Sequence, residues 1–175
     1  MSNAEQLPPA HLVLMGVSGC GKTTIAKVLA KDFGFELGEA DDFHPAENIE
    51  KMANGQPLTD EDRWPWLEIL TNWLQRQDQA GKRTVITCSA LKRAYRHELQ
   101  RSNAPLVFVH LNGTREQLLQ RLRARTNHFM PATMLDPQLN TLEPLQADEK
   151  GFVVGIDDSP TNIAITIMEK LNAAA

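Results

Sequence analysis

Residues Gly16–Thr23 read GVSGCGKT, which fits the pattern G-x-x-x-x-G-K-[ST] at every fixed position. Each fixed residue has a mechanical task. The glycines let the backbone turn its N–H groups inward and approach a polyphosphate without Cβ clashes. Lys22 sets an ammonium beside the β- and γ-phosphates, and the Thr23 hydroxyl can ligate Mg²⁺. The flanks agree with the motif. His11–Met15 (HLVLM) is an apolar run suited to a buried strand, and Thr23–Phe33 has helical spacing at Ile25, Val28, Leu29 and Phe33. Strand, glycine loop and helix in that order aim a helix N-terminus at phosphate. The pattern predicts nucleotide contacts from Gly16, Val17, Ser18, Gly19, Cys20, Gly21, Lys22, Thr23 and Thr24, with Thr23 also the metal ligand.

Strand-like runs alternate with helical patterns along the rest of the chain. Phe35–Leu37 is a candidate strand, and Pro45–Ala53 a short helix closed by Asn54-Gly55. Thr59-x-x-Asp62 resembles an N-terminal cap with Pro65 in the tolerated first turn, leading into a stripe of Trp66, Leu67, Leu70, Trp73 and Leu74. Thr84–Cys88, Leu106–Leu111 and Phe152–Ile156 read as strands; Ala94–Leu99, a run capped by Thr114 and Gln117, and Asn162–Leu171 read as helices. This alternation predicts an α/β fold, a parallel sheet with helices on both faces. Residues 126–150 break the alternation and are read as a lid, while 1–10 are read as a flexible N-terminus of a single domain.

Composition bounds the partners. A net charge of -4 and a pI near 5.7 argue against nucleic acid, so an anionic ligand must be met by locally concentrated Lys and Arg. No run of about 18 apolar residues is present to span a membrane. The N-terminus lacks the basic start and apolar stretch of a secretory signal. Cys20 and Cys88 have no metal-ligand spacing and suit a reducing compartment, which points to the cytoplasm.

Active sites of such sheets lie beyond the carboxyl ends of the strands. Asp41 and Asp42 follow the second strand, where a carboxylate could orient or deprotonate an acceptor hydroxyl or hold a water of Mg²⁺. Lys92 and Arg93, with Tyr95 and Arg96, follow the third. Cations at a helix start oppose its dipole, so they call for an anion nearby. Arg121 and Arg125 lie four residues apart, roughly 40° around a helix. One could stack on the base while the other stabilises the transferring phosphoryl group. His44 and His128 fall in the same loops.

These segments together closely resemble the bacterial-type gluconokinases, small kinases of the shikimate-kinase and nucleotide-kinase group. The resemblance covers nearly the whole chain. It rests on GVSGCGKT, ADDFHPAENIEKMANGQPLTDEDRWPWL at 40–67, CSALKRAYR at 88–96, HFMPATMLDPQLNTLEPL at 128–145, and Asp148-Glu149. It implies five parallel strands in order 2-3-1-4-5 with a mobile lid, ATP-dependent phosphorylation of D-gluconate to 6-phosphogluconate, Mg²⁺ as cofactor, and a homodimer. By position, Asp41 becomes the carboxylate facing the acceptor hydroxyl. Arg63 and Lys92, Arg93 or Arg96 become holders of the sugar acid, with His44 beside it. Arg121, Arg125 and His128 fall on the lid side, Arg121 with the nucleotide, Arg125 as a catalytic residue and His128 with the acceptor. At Glu39-Ala40 the chain departs from relatives that often carry Asp there.

Other readings predict other residues. Shikimate kinases show a triple-glycine turn where this chain has Ser89-Ala90-Leu91. A GTP-driven switch needs a guanine-reading N-K-x-D segment, and the chain has none. A non-catalytic nucleotide sensor has no need of Lys22, Thr23 and Asp41 together.

Overall fold

The apolar run ahead of the phosphate loop forms the middle of the sheet. In a computed structural model, which describes residues 10–126 and 131–173, β1 (His11–Met15) is buried at every position. It pairs in parallel with β3 (Thr84–Thr87) on one side and β4 (Leu106–Asn112) on the other. Beyond them lie β2 (Glu36–Glu39) and β5 (Gly151–Gly155), giving five parallel strands in the expected order β2-β3-β1-β4-β5. A parallel sheet covered on both faces needs apolar residues on both, which is why HLVLM does not alternate.

Successive β1 side chains serve different layers. Leu12 and Leu14 pack with α1 (Lys22–Phe33), α5 (Arg115–Thr126), α6 (Pro131–Thr141) and α7 (Pro160–Ala173) through Ile25, Leu118, Leu135 and Ile167. Val13 and Met15 pack with α3 (Asp60–Gln79) and α4 (Arg93–Gln100) through Leu67, Leu70, Tyr95 and Leu99. The expected stripe on α3 is core. A 3₁₀ turn (Ala40–Phe43) and α2 (Ala46–Ala53) link β2 to α3.

Three expectations shift. Phe35 belongs to the core below Arg83, whose guanidinium lies 4.6 Å from the ring centroid, and the strand starts one residue later. The Thr59 cap forms: its hydroxyl accepts the Asp62 N–H at 3.2 Å, and the Asp62 carboxylate accepts the Thr59 N–H at 2.9 Å. A helix starting there puts Pro65 past the first turn, where it withholds one bond from the Glu61 carbonyl on an exposed side.

The third shift concerns 126–150, expected to be irregular. Residues 131–141 are helical, and 127–130 lie outside the described residues. Leu135, Leu139 and Leu142 are spaced as one helix face and pack on the core. Arg115 grips Asp136 through two bonds of 2.8 and 3.0 Å. Pro137 masks this helix in the sequence, because an interior proline normally argues against one.

Candidate active site

The phosphate loop bends where its glycines allow. Gly21 caps α1 at φ +93, and a Cβ there would lie 3.2 Å from Arg121 Nη1. Gly19 sits at φ +88, also in the region L side chains rarely adopt. α1 begins at Lys22 with no acidic residue in its first turn, so its N-terminal N–H groups face an anion without competition from carboxylates of that turn. Val17 and Cys20 turn their side chains into the core, leaving only backbone for a ligand. Lys22 Nζ donates to the Gly16 and Val17 carbonyls at 2.8 and 3.2 Å. Those bonds hold the ammonium over the loop.

A cleft of ≈600 Å³ opens above the loop and brings together Ser18, Lys22, Thr23, Thr24, Asp41 and Arg121. Its far wall is Asp158, Pro160 and Ile163. The sequence reading did not single these out, although they follow the last strand as the other site loops follow theirs. Asp158 accepts from Asn162 Nδ2 and the Ser159 N–H, and the Asn162 bond above all holds its carboxyl below the usual range. Arg121 donates to the Ile156 carbonyl, which ties this wall to α5.

Thr23 Oγ1 donates to Glu39 Oε2 at 3.2 Å, and Thr87 Oγ1 donates to the same oxygen. The pair of threonines fixes Glu39 beside the loop, and Asp41 stands near with its side chain 95% exposed. Among the described residues no group of three or more His, Cys, Asp and Glu could cage a metal. A hydroxyl, nearby carboxylates and phosphate oxygens suit Mg²⁺, which keeps several waters.

A second cavity of ≈170 Å³ lies beside the first, lined by Arg63, Trp66, Ser89, Ala90, Tyr95 and Gln138 among others. Trp66 Nε1 donates to the Ala40 carbonyl at 2.8 Å, so α3 holds the turn that carries Asp41. His44 stacks on Trp66 with centroids 4.3 Å apart. Its Nε2 lies 3.8 Å from Asp41, and Asn48 donates to its Nδ1. Burial lowers the His44 pKa; Asp41 opposes that shift and Arg63 adds to it.

Asp60, unassigned in the sequence reading, gathers the cations of this side. It pairs with Lys92 at 3.2 Å, stands 3.7 Å from Arg63, and accepts from Tyr95. Arg63 also donates to the Leu58 carbonyl at 2.8 Å. The Tyr95 and Lys92 bonds pull the Asp60 carboxyl below its usual range, and Asp60 raises Lys92. From sequence, Asp60 looks only like an acidic residue favouring a helix start.

Two sugar-acid candidates are committed elsewhere. Arg96 is fully buried, with Nε and Nη2 on Glu149 at 2.9 and 3.1 Å and Nη1 on the Ala90 carbonyl at 2.8 Å. The two remaining donors meet the Leu91 and Pro144 carbonyls at 3.4 and 3.5 Å, so all five N–H groups of this buried guanidinium face protein acceptors. It instead holds Ala90, a non-glycine residue at φ +45, on the cavity wall. Arg93 turns outward to Gln146 and Asp148, and its backbone N–H donates to Glu143. Both arginines tie residues 143–149 to the start of α4. The Arg125 side chain and His128 lie outside the described residues.

Gln138 joins the two cavities. Its Oε1 accepts the Ser18 N–H at 2.8 Å, and its Nε2 donates to Ser18 Oγ at 2.8 Å. Nothing in the local sequence marked it.

A family model described as "AAA domain" matches residues 12–131. The chain is 51% identical over 154 residues to a gluconokinase of Gluconobacter oxydans (strain 621H), covering 88% of this chain and 86% of that one. A solved gluconokinase from Sinorhizobium meliloti 1021 superposes with a TM-score of 0.82 at 38% identity, covering 95% of each chain. A sugar kinase from Janibacter sp. HTCC2649 superposes with a TM-score of 0.81 at 48% identity, covering 96% of this chain and 99% of that one.

Proposed function

This chain belongs to the gluconokinase family, and we propose that it transfers the γ-phosphoryl group of ATP to the terminal hydroxyl of D-gluconate. The products are 6-phospho-D-gluconate and ADP. The hydroxyl oxygen bonds to the γ-phosphorus as the bond to the β,γ-bridging oxygen breaks, and the hydroxyl proton leaves toward Asp41. One observation carries the reading. A cleft holding Lys22 and Asp41 and a smaller cavity holding Arg63 adjoin at the Ser18–Gln138 contact.

Such a transfer passes through a loose transition state, so positioning and charge neutralisation do most of the catalysis. Lys22 would exchange its carbonyl partners for phosphate oxygens. Thr23 would hold Mg²⁺, with Glu39 and Asp41 at its water shell, and the ion would neutralise the β,γ-oxygens. Arg63 is the cation on the acceptor cavity wall suited to the sugar-acid carboxylate, with Lys92 behind it at Asp60. Arg121 serves the nucleotide side. Arg125 and His128 enter by chain position alone; of the expected lid, α6 is anchored to the core by Leu135 and to α5 by Asp136 and would stay in place. Burial disfavours the charged form of His44, the imidazole 3.8 Å from Asp41, which leaves the Asp41 carboxylate placed to accept the proton. We further read the chain as a cytoplasmic homodimer; its two free cysteines fit a reducing compartment. No helix among the described residues is long and apolar enough to cross a membrane.

Coupled ADP release should be measured with D-gluconate, a neutral polyol of the same length, and shikimate. Turnover of gluconate well above both is expected. Equal turnover of the polyol would remove the carboxylate contact, and preferred turnover of shikimate would overturn the substrate. Asp41→Asn should lower kcat by roughly 10²-fold, the lower end expected for base assistance to a loose transition state. Asp42→Asn, in single-turnover comparison at saturating substrates, should be milder.

A further inference from the structure

The Ser18 N–H has one hydrogen and faces two claimants. It belongs to the loop that turns its N–H groups toward phosphate, yet it donates to Gln138 Oε1 at 2.8 Å. Ser18 Oγ is engaged by the same carboxamide, receiving Nε2 at 2.8 Å and lying 3.2 Å from Oε1. The carboxamide Nε2 also donates to the Met134 carbonyl at 3.3 Å. Gln138 is held from behind: Leu135 is fully buried, and Asp136 is forked by Arg115. Its position therefore survives a change of hydrogen-bond partner. Ser18 lines the cleft over the phosphate loop and Gln138 the smaller cavity, so this pair stands between the two.

We propose that Gln138 couples the two sites by competing with the nucleotide's terminal phosphate for Ser18, so that nucleotide binding releases its carboxamide to the acceptor. A phosphate oxygen reaching the Ser18 N–H displaces Oε1, and the freed amide offers both a donor and an acceptor to sugar hydroxyls in the adjoining cavity. The coupling must be reciprocal: an acceptor that engages Gln138 frees Ser18 for phosphate. The inference rests on the gluconokinase reading and names the residue by which its two substrates sense each other.

The test is calorimetric binding of D-gluconate with and without a non-hydrolysable ATP analogue and Mg²⁺. For the unaltered protein the analogue should tighten gluconate by about 3- to 10-fold, the range of one neutral hydrogen bond. Q138A should bring that ratio to within about twofold of one. It should bind the analogue alone at least as tightly as before, because a competitor for Ser18 is gone. Q138E keeps an acceptor on the Ser18 N–H and adds a charge facing phosphate, so it should weaken the analogue. Opposite signs at one position are a signature that a loosened loop cannot produce, since loosening weakens both. An unchanged ratio in Q138A, or analogue binding weakened in both variants, overturns the coupling while gluconate turnover by the unaltered protein keeps the underlying reading. Failure of the unaltered protein to bind gluconate overturns both.

Discussion

The two sides of Ser18 are built by opposite means. The nucleotide side comes mainly from one contiguous stretch, Gly16–Thr24, whose shape follows from its own glycines and the helix it starts. The acceptor side is gathered from the turn after β2, the start of α3, the β3–α4 connection and α6. Three of its cations are held by carboxylates from other segments, Asp60 for Lys92, Glu149 for Arg96 and Asp148 for Arg93, while Arg63 stands one turn from Asp60 on the same helix. A loop that shapes itself can be altered without loss of fold, so its residues report on chemistry. A site assembled by ion pairs mixes affinity with stability, and its residues must be told apart one by one.

Lys22→Ala offers the hardest break. Removing an ammonium from where transition-state charge develops should cut ADP release by roughly 10³-fold or more. Among the described residues its bonds reach only its own loop, so circular dichroism and the melting temperature should hardly move. Near-normal turnover would remove the nucleotide side from the account.

Arg96→Leu should show the opposite behaviour. Leaving Glu149 buried without its partner should destabilise the fold by about 3–5 kcal/mol, read by denaturant unfolding. Burial pushes the Glu149 carboxyl up, but Arg96 and the Gln146 N–H outweigh it and hold the pKa below the usual range. This pair's contribution is therefore present above about pH 4.5, the unfolded value. It is lost as pH falls below that, because the unfolded chain then binds more protons. In Arg96→Leu the acid limb of the stability curve should be shallower. An Arg96→Leu protein as stable as the unaltered one would return Arg96 to the list of substrate ligands.

Arg63 and Lys92 sharpen the contrast within the acceptor side. Arg63→Ala should raise the gluconate KM by roughly 10- to 150-fold, the cost of one charge-assisted hydrogen bond, with the ATP KM much less changed. Lys92→Ala should raise it less, because Lys92 is held behind the cavity by Asp60. Selective loss of ATP affinity in either would reverse the assignment of the two sides.

How much of this was legible follows the same division. The strand order came only from the family resemblance, whereas the phosphate loop, β1 and the Thr59 cap could be read because each depends on neighbours in sequence. Asp60 and Gln138 could not, because what they do depends on partners 32 and 120 residues away. Arg96 misled for a related reason. A cation after a strand end looks like a ligand holder until Glu149, 53 residues on, is seen to claim it. The Pro137 helix was hidden by a local rule that packing of Leu135 and Leu139 overrides.

The most direct measurement is ³¹P NMR of the products formed from Mg-ATP and D-gluconate. A phosphomonoester signal split by two methylene protons, growing in step with ADP, is predicted for transfer to the terminal hydroxyl. ADP accompanied only by inorganic phosphate, at a rate indifferent to gluconate, would contradict it.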